Sequence, residues 1–162
     1  MSQTDTPADK STIACGLLTV AMGAFLALQT SGLVNVGARP EGDAPAWLGV
    51  CAGLVFIAGG LAVVLQSLPF AKFARGDFSA DTPTWVRSIM LALVLTIVGG
   101  LAAIGAWVAF GPGERHFHVV GMFIGGDKVD DVLGRFVFGA GTVLTGLIFV
   151  VFALTGARRL RR

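Results

Sequence analysis

Four long stretches of this chain, at about 12–30, 47–67, 86–110 and 132–155, carry almost no charge, and they leave few possible folds. Each has about the 17–25 residues with which an α-helix crosses ~30 Å of hydrocarbon. Only Arg87 and Arg135 fall inside them. Both stand in a first turn, from which a long side chain reaches the headgroups. Composition agrees: 54% of the 162 residues are hydrophobic, 14% are charged and the mean hydropathy is +0.79. A soluble domain carries about 25% charged residues. The solvent expected for most of this chain is lipid. The fold expected is all-α, an integral membrane four-helix bundle at 12–155, between a polar N-terminal stretch at 1–11 and a basic tail at 156–162.

The first apolar stretch also invites comparison with a secretory signal peptide. Its preceding segment, "MSQTDTPADK", holds one Lys against two Asp, and no clear A-x-A site follows Leu28. Cys15 opens the apolar run instead of closing it, which is wrong for a lipid-anchored cysteine. The segment is expected to stay as a spanning helix.

Charge placement sets the expected orientation. Four crossings put both termini on one side, together with Lys10, Lys72, Arg75, Arg87, Arg158, Arg159, Arg161 and Arg162. The other side holds Arg39, Arg115, Lys128 and Arg135. The positive-inside rule then predicts both termini in the cytoplasm. A net charge of +2 is too small to suggest a nucleic-acid partner. The partner expected is the bilayer.

"DAPAW" at 43–47 returns as "DTPTW" at 81–85, each before an apolar run. Asp43, or Thr82 beside Pro83, has the chemistry to cap free N–H groups, and a proline is tolerated in a first turn. Trp47, Trp85 and Trp107 suit the membrane interface, where the ring is apolar and the N–H wants water. Trp85 and Trp107 lie 22 residues apart, ~33 Å along a helix. An inverted repeat, as in many carriers, is the rival reading. "GGLA" recurs at 59–62 and 99–102, yet its distance from the Trp is 12 residues in one copy and 14 in the other. Shared helix-start chemistry accounts for the similarity.

Small residues recur at four-residue spacing in each span: Cys15, Thr19, Gly23 and Ala27; Gly49 and Gly53, with Gly60 a heptad on; Gly99, Ala103 and Ala106; Gly141 and Thr145. In lipid, close backbone approach supplies packing energy, so these faces are expected to pack within the chain or against another subunit or copy. No ionisable residue stands at mid-depth, and Thr19, Thr96, Thr142 and Thr145 have the reach to bond their own backbones. Pumps and proton-coupled carriers place ionisable groups inside the membrane. Cys15 and Cys51 lie near opposite surfaces and are expected to be packing residues, too far apart to pair.

One connection is chemically rich. "GPGERHFHVVGMFIGGDKVDD", 111–131, holds both histidines and Glu114, Asp127, Asp130 and Asp131. In an extended strand His116 and His118 point the same way, and with Asp130 they make a weak candidate zinc set. The plainer expectation is a solvated loop in which Asp130 or Asp131 caps the last helix, with no metal and no cofactor. Arg115, His116, His118, Met122, Phe123 and Ile124 are the candidates for contact with an outer partner or ligand. The other connection, "LPFAKFARGDFSADTP", alternates Phe70, Phe73 and Phe78 with Lys72 and Arg75, a pattern suited to a packed loop or to an interface with anionic lipid.

"GPGER" after the third span, "GRFVFGAG" opening the fourth and the arginine-rich end resemble small four-span bacterial inner-membrane proteins of no assigned activity. In size and span count the chain is also similar to the small membrane subunit of tripartite tricarboxylate transporters. That likeness is architectural and carries no residue roles. The resemblance implies residence in a bacterial inner membrane. Three functions are compatible with the residues: a non-catalytic accessory or interaction subunit, a small-solute transport component or channel, and an enzyme using the outer loop. No nucleophile–base pair or phosphate-cradling loop supports the last, so the expectation is not an enzyme.

Overall fold

The computed structural model describes residues 10–34, 45–67, 73–74, 77–78, 83–112 and 131–160. Its elements are α1 (Lys10–Thr30), α2 (Ala46–Gln66), β1 (Phe73–Ala74), β2 (Asp77–Phe78), α3 (Thr84–Phe110) and α4 (Asp131–Leu160). All four helices are long and apolar enough to cross a membrane. The fold is all-α apart from one small ladder between α2 and α3, where Phe73 pairs with Phe78 and Ala74 with Asp77.

The helix starts repeat, with one correction to expectation. Pro45 and Pro83 are not in the first turns; each stands just before its helix in extended backbone, φ −66° and −56°. Among the described residues neither helix start has a side-chain cap. The proline carbonyls do that work locally: Pro45 accepts from the Leu48 N–H at 3.0 Å, and Pro83 from Val86 at 3.0 Å and Arg87 at 3.3 Å. A proline ring fixes φ and lacks an N–H that would otherwise stand unpaired. Trp47 and Trp85 then occupy the same position, second in the helix. Asp43 and Thr82 lie outside the described residues.

At its far end α1 closes with Gly32, at φ 80°. The Gly32 N–H bonds the Gln29 carbonyl at 3.2 Å and the Leu33 N–H bonds that of Leu28 at 3.1 Å. This is a Schellman stop, which needs a left-handed residue and so favours glycine. At the other extreme, α4 does not end near 155 but continues through Leu160. The last residues, Ala157, Arg158, Arg159 and Leu160, are all strong helix formers, and cations are favourable at a helix C-terminus.

Each helix packs on its neighbour in sequence: α1 on α2, α2 on α3, α3 on α4. The first pair is held by glycines. Gly16 faces Gly60, Gly23 faces Gly53, and Thr30 faces Gly49, so the two helices run antiparallel. Gly139 against Ala109, Thr142 against Gly105, Phe149 against Gly99 and Gly156 against Leu91 give α3 and α4 the same antiparallel sense. Between them, Gly100 meets Val55 and the Cys51 carbonyl. Few large side chains are buried; the inside is made of Ala58, Ala62, Val86, Met90, Ala109 and the contact glycines. Large apolar side chains face outward along every helix, among them Leu18, Phe56, Leu101 and Val151. A water-soluble bundle puts such side chains inside. This arrangement is inside-out with respect to water and correct with respect to lipid.

Candidate functional site

The described surface holds no concentrated chemistry, and its construction explains why. Among the described residues there is no group of three or more His, Cys, Asp or Glu. Arg115, His116, His118, Met122, Phe123, Ile124 and Asp130 lie outside the described residues. Cys15 and Cys51 are free thiols, the first exposed and the second half-buried. The intramembrane hydroxyls bond as expected to carbonyls of their own helices. Thr19 donates to Cys15 at 2.9 Å, Thr96 to Ala92 at 2.9 Å, Thr142 to Phe138 at 2.8 Å and Thr145 to Gly141 at 2.8 Å. A hydroxyl that donates to its own helix needs no second helix or water as its acceptor.

What the sequence has built instead is a set of close backbone approaches. A Cβ added to Gly23 would stand 2.6 Å from the Gly53 carbonyl oxygen, and one added to Gly53 would stand 2.6 Å from that of Gly23. Gly60 repeats the pattern, 2.5 Å from the Gly16 oxygen. Each glycine therefore turns an Hα toward its partner's carbonyl, a weak contact that recurs at helix–helix interfaces. No other residue fits: such separations are shorter than any real Cβ contact. Gly49 lies against the Thr30 side chain, and a Cβ added to Gly99 would stand 3.1 Å from the Phe149 ring.

The seam corrects the expected face of α1. Contacts fall at Gly16, Val20, Gly23, Ala27 and Thr30, spaced alternately four and three residues apart. A strict four-residue stripe drifts about 40° around the helix at each step. Cys15, expected on the packing face, has drifted off it and is exposed. Alternating four and three averages 3.5 residues, the period that a left-handed crossing keeps in contact. On α4, positions 135, 139, 142, 146, 149, 153 and 156 are all half-buried or buried and keep the same alternation, with Gly134 and Thr145 covered beside them. Gly16, Gly100, Gly105, Gly139 and Gly156 were thus missed by four-residue counting; heptad counting from Gly23 reaches Gly16 directly.

Two expected packing positions behave differently. Ala103 is half-buried on α3. Gly141 is exposed on α4 and has no heavy atom within 4 Å of where a Cβ would stand, so it packs on nothing described within this chain. Of the two alternatives expected for the small-residue faces, packing within the chain belongs to Gly139 and Thr142, which hold the α3–α4 seam, while Gly141 points away from it. The repeat reading fails at the same level of detail. Gly59 opens on empty space and Gly60 on α1, whereas Gly99 touches α4 and Gly100 touches α2. Equivalent letters meet non-equivalent neighbours. Trp47 and Trp85 are exposed at first turns and Trp107 is half-buried near the end of α3.

The chain matches no family model, no curated protein and no solved structure.

Proposed function

We propose that this is a non-catalytic membrane protein that works by associating with a protein partner, or with its own copies, in the plane of a bacterial inner membrane. The observation that carries the reading is the unpartnered side of α4. That helix meets α3 along one seam and exposes most of its remaining surface, from Val137 through Val143, Leu147 and Val151. In that surface Gly141 leaves the backbone open at mid-helix, beside no described residue of this chain. Small residues at exposed positions let a second helix approach closely, which is the main source of association energy in lipid. The lack of ionisable residues at mid-depth supports a helper over an autonomous pump. Positive charge concentrated beside the termini supports both ends being cytoplasmic.

The test is purification of the tagged chain in mild detergent, with mass determined by light scattering. The expected result is a homo-oligomer or a stoichiometric partner that Gly141→Leu releases while leaving the monomer folded. A clean monomer for the unaltered chain contradicts the proposal. Solute uptake by proteoliposomes holding this chain alone would move the assignment to transport.

A further inference from the structure

The four helices are level at one pole and uneven at the other. At the pole where α1 starts and α4 ends, the last seam contacts are Gly16 with Gly60 and Leu91 with Gly156. Beyond them Lys10 and Gln66 are each six residues further on, Thr84 seven and Leu160 four. Gly100, which meets Val55 and the Cys51 carbonyl, ties the two pairs together. These four ends are flush to within about a turn. At the far pole Thr30, the last residue of α1, lies against Gly49 in the first turn of α2, and the Gly100 contact sets the end of α3 within about a turn of the same level. The fourth helix breaks this pattern. Gly139 lies against Ala109, one residue from the end of α3, yet α4 begins at Asp131, eight residues and ~12 Å further out.

The overhang is greasy. Val132 is 78% exposed, Phe136 73% and Val137 61%. Within each helix the run free of charged and amide side chains differs to match: 11–28 on α1, 46–65 on α2, 88–110 on α3 and 136–157 on α4. At 1.5 Å per residue these runs are ~27, ~30, ~34 and ~33 Å long. Because they are level at one pole, they stop at different heights at the other, with Leu28 the lowest and Phe136 the highest, ~10 Å apart. A span that does not match the hydrocarbon tilts or deforms the bilayer around it. Tilting the whole molecule gives no relief here, since it would put the level pole out of line.

We propose that the protein holds a step in the bilayer: the leaflet at the far pole is drawn thin beside α1 and stands about 10 Å higher beside α4, where lipids with longer acyl chains gather around Phe136 and Val137. The partner is lipid, selected by chain length and not by headgroup. The step belongs to a single copy of the chain and does not depend on association. It sorts the protein among membranes by their thickness.

The test uses the full chain with Cys15→Ser/Cys51→Ser and one new cysteine, Ser31→Cys just past α1 or Phe136→Cys on the overhang. Both positions are exposed within the chain, so only lipid or a partner shields them. A flat bilayer of any thickness orders them by height. Phe136→Cys, further out, then reacts with a charged maleimide at least as fast as Ser31→Cys. A step reverses that order. In dioleoyl phosphatidylcholine nanodiscs holding one copy each, Ser31→Cys is expected to react about tenfold faster than Phe136→Cys, with rates normalised to the unfolded chain. The shorter chains of dimyristoleoyl lipid raise the Phe136→Cys rate, and the longer chains of dierucoyl lipid lower it. Val137→Cys repeats the measurement should Phe136→Cys fail to fold. Reaction at the overhang as fast as at Ser31→Cys overturns the proposal, by leaving the overhang in water for a protein to cover. Slow reaction at all three positions overturns it by making the bilayer flat and thick. An overhang rate that is the same in the three lipids also overturns it, because the cover is then not lipid.

Discussion

At the residue scale, two glycines of identical composition have opposite duties. Gly23 is buried in the α1–α2 seam, where even a methyl group would meet the Gly53 carbonyl. Gly141 is exposed and faces nothing described in its own chain. Gly23→Leu forces the helix pair apart, and inserted bulk costs about 1–3 kcal/mol, with the upper end expected where backbone stands on the other side. Gly141→Leu is expected to leave monomer stability within about 0.5 kcal/mol. Thermal unfolding in detergent, followed by helicity, checks both. Equal losses at the two positions would contradict the assignment of the seam. The glycines of the first pair were legible in the sequence because Gly53 and Gly60 lie a heptad apart. For Gly141 the sequence left both alternatives open, because a four-residue count cannot tell the seam from the face beside it.

At the element scale, the claim is the antiparallel register of α3 and α4. A Cβ on Gly139 would lie 3.7 Å from that of Ala109, close to the ~3.8 Å typical of disulfides. In a Cys15→Ser/Cys51→Ser background, Ala109→Cys/Gly139→Cys is expected to cross-link within the chain on mild oxidation. Ala109→Cys/Gly141→Cys is not, since Gly141 points away. The readout is mobility after cleavage between the helices, with and without reductant. Cross-linking by both pairs, or by neither, contradicts the register. The helices themselves were readable from charge alone, because uncharged stretches long enough to span leave no other solution in lipid. Their ends were less so. Pro45 and Pro83 cap from outside the helix because a proline carbonyl accepts well while its ring cannot enter the ladder comfortably. The fourth helix outran its expected end because charge marks the edge of the hydrocarbon, not the edge of the helix.

At the scale of the whole molecule, the sequence determines the solvent more firmly than the partner. Helix–helix pairing rests on glycines that leave a reciprocal imprint, so the fold could be anticipated. A site for association is a face without an occupant, and a small residue such as Gly141 marks where a second helix fits without saying which helix it is. The central claim is that four helices cross the membrane, and the chain therefore changes sides at every helix. Single cysteines at Ser31, Ser67, Pro112 and Arg158, in the cysteine-free background, sample the four helix ends in turn. With a membrane-impermeant maleimide applied to intact cells, Ser31→Cys and Pro112→Cys are expected to label, and Ser67→Cys and Arg158→Cys only after permeabilisation. The reverse pattern keeps four crossings and inverts the proposed orientation. Labelling of Ser31→Cys and Ser67→Cys from the same side would mean that α2 does not cross, and the account would fail.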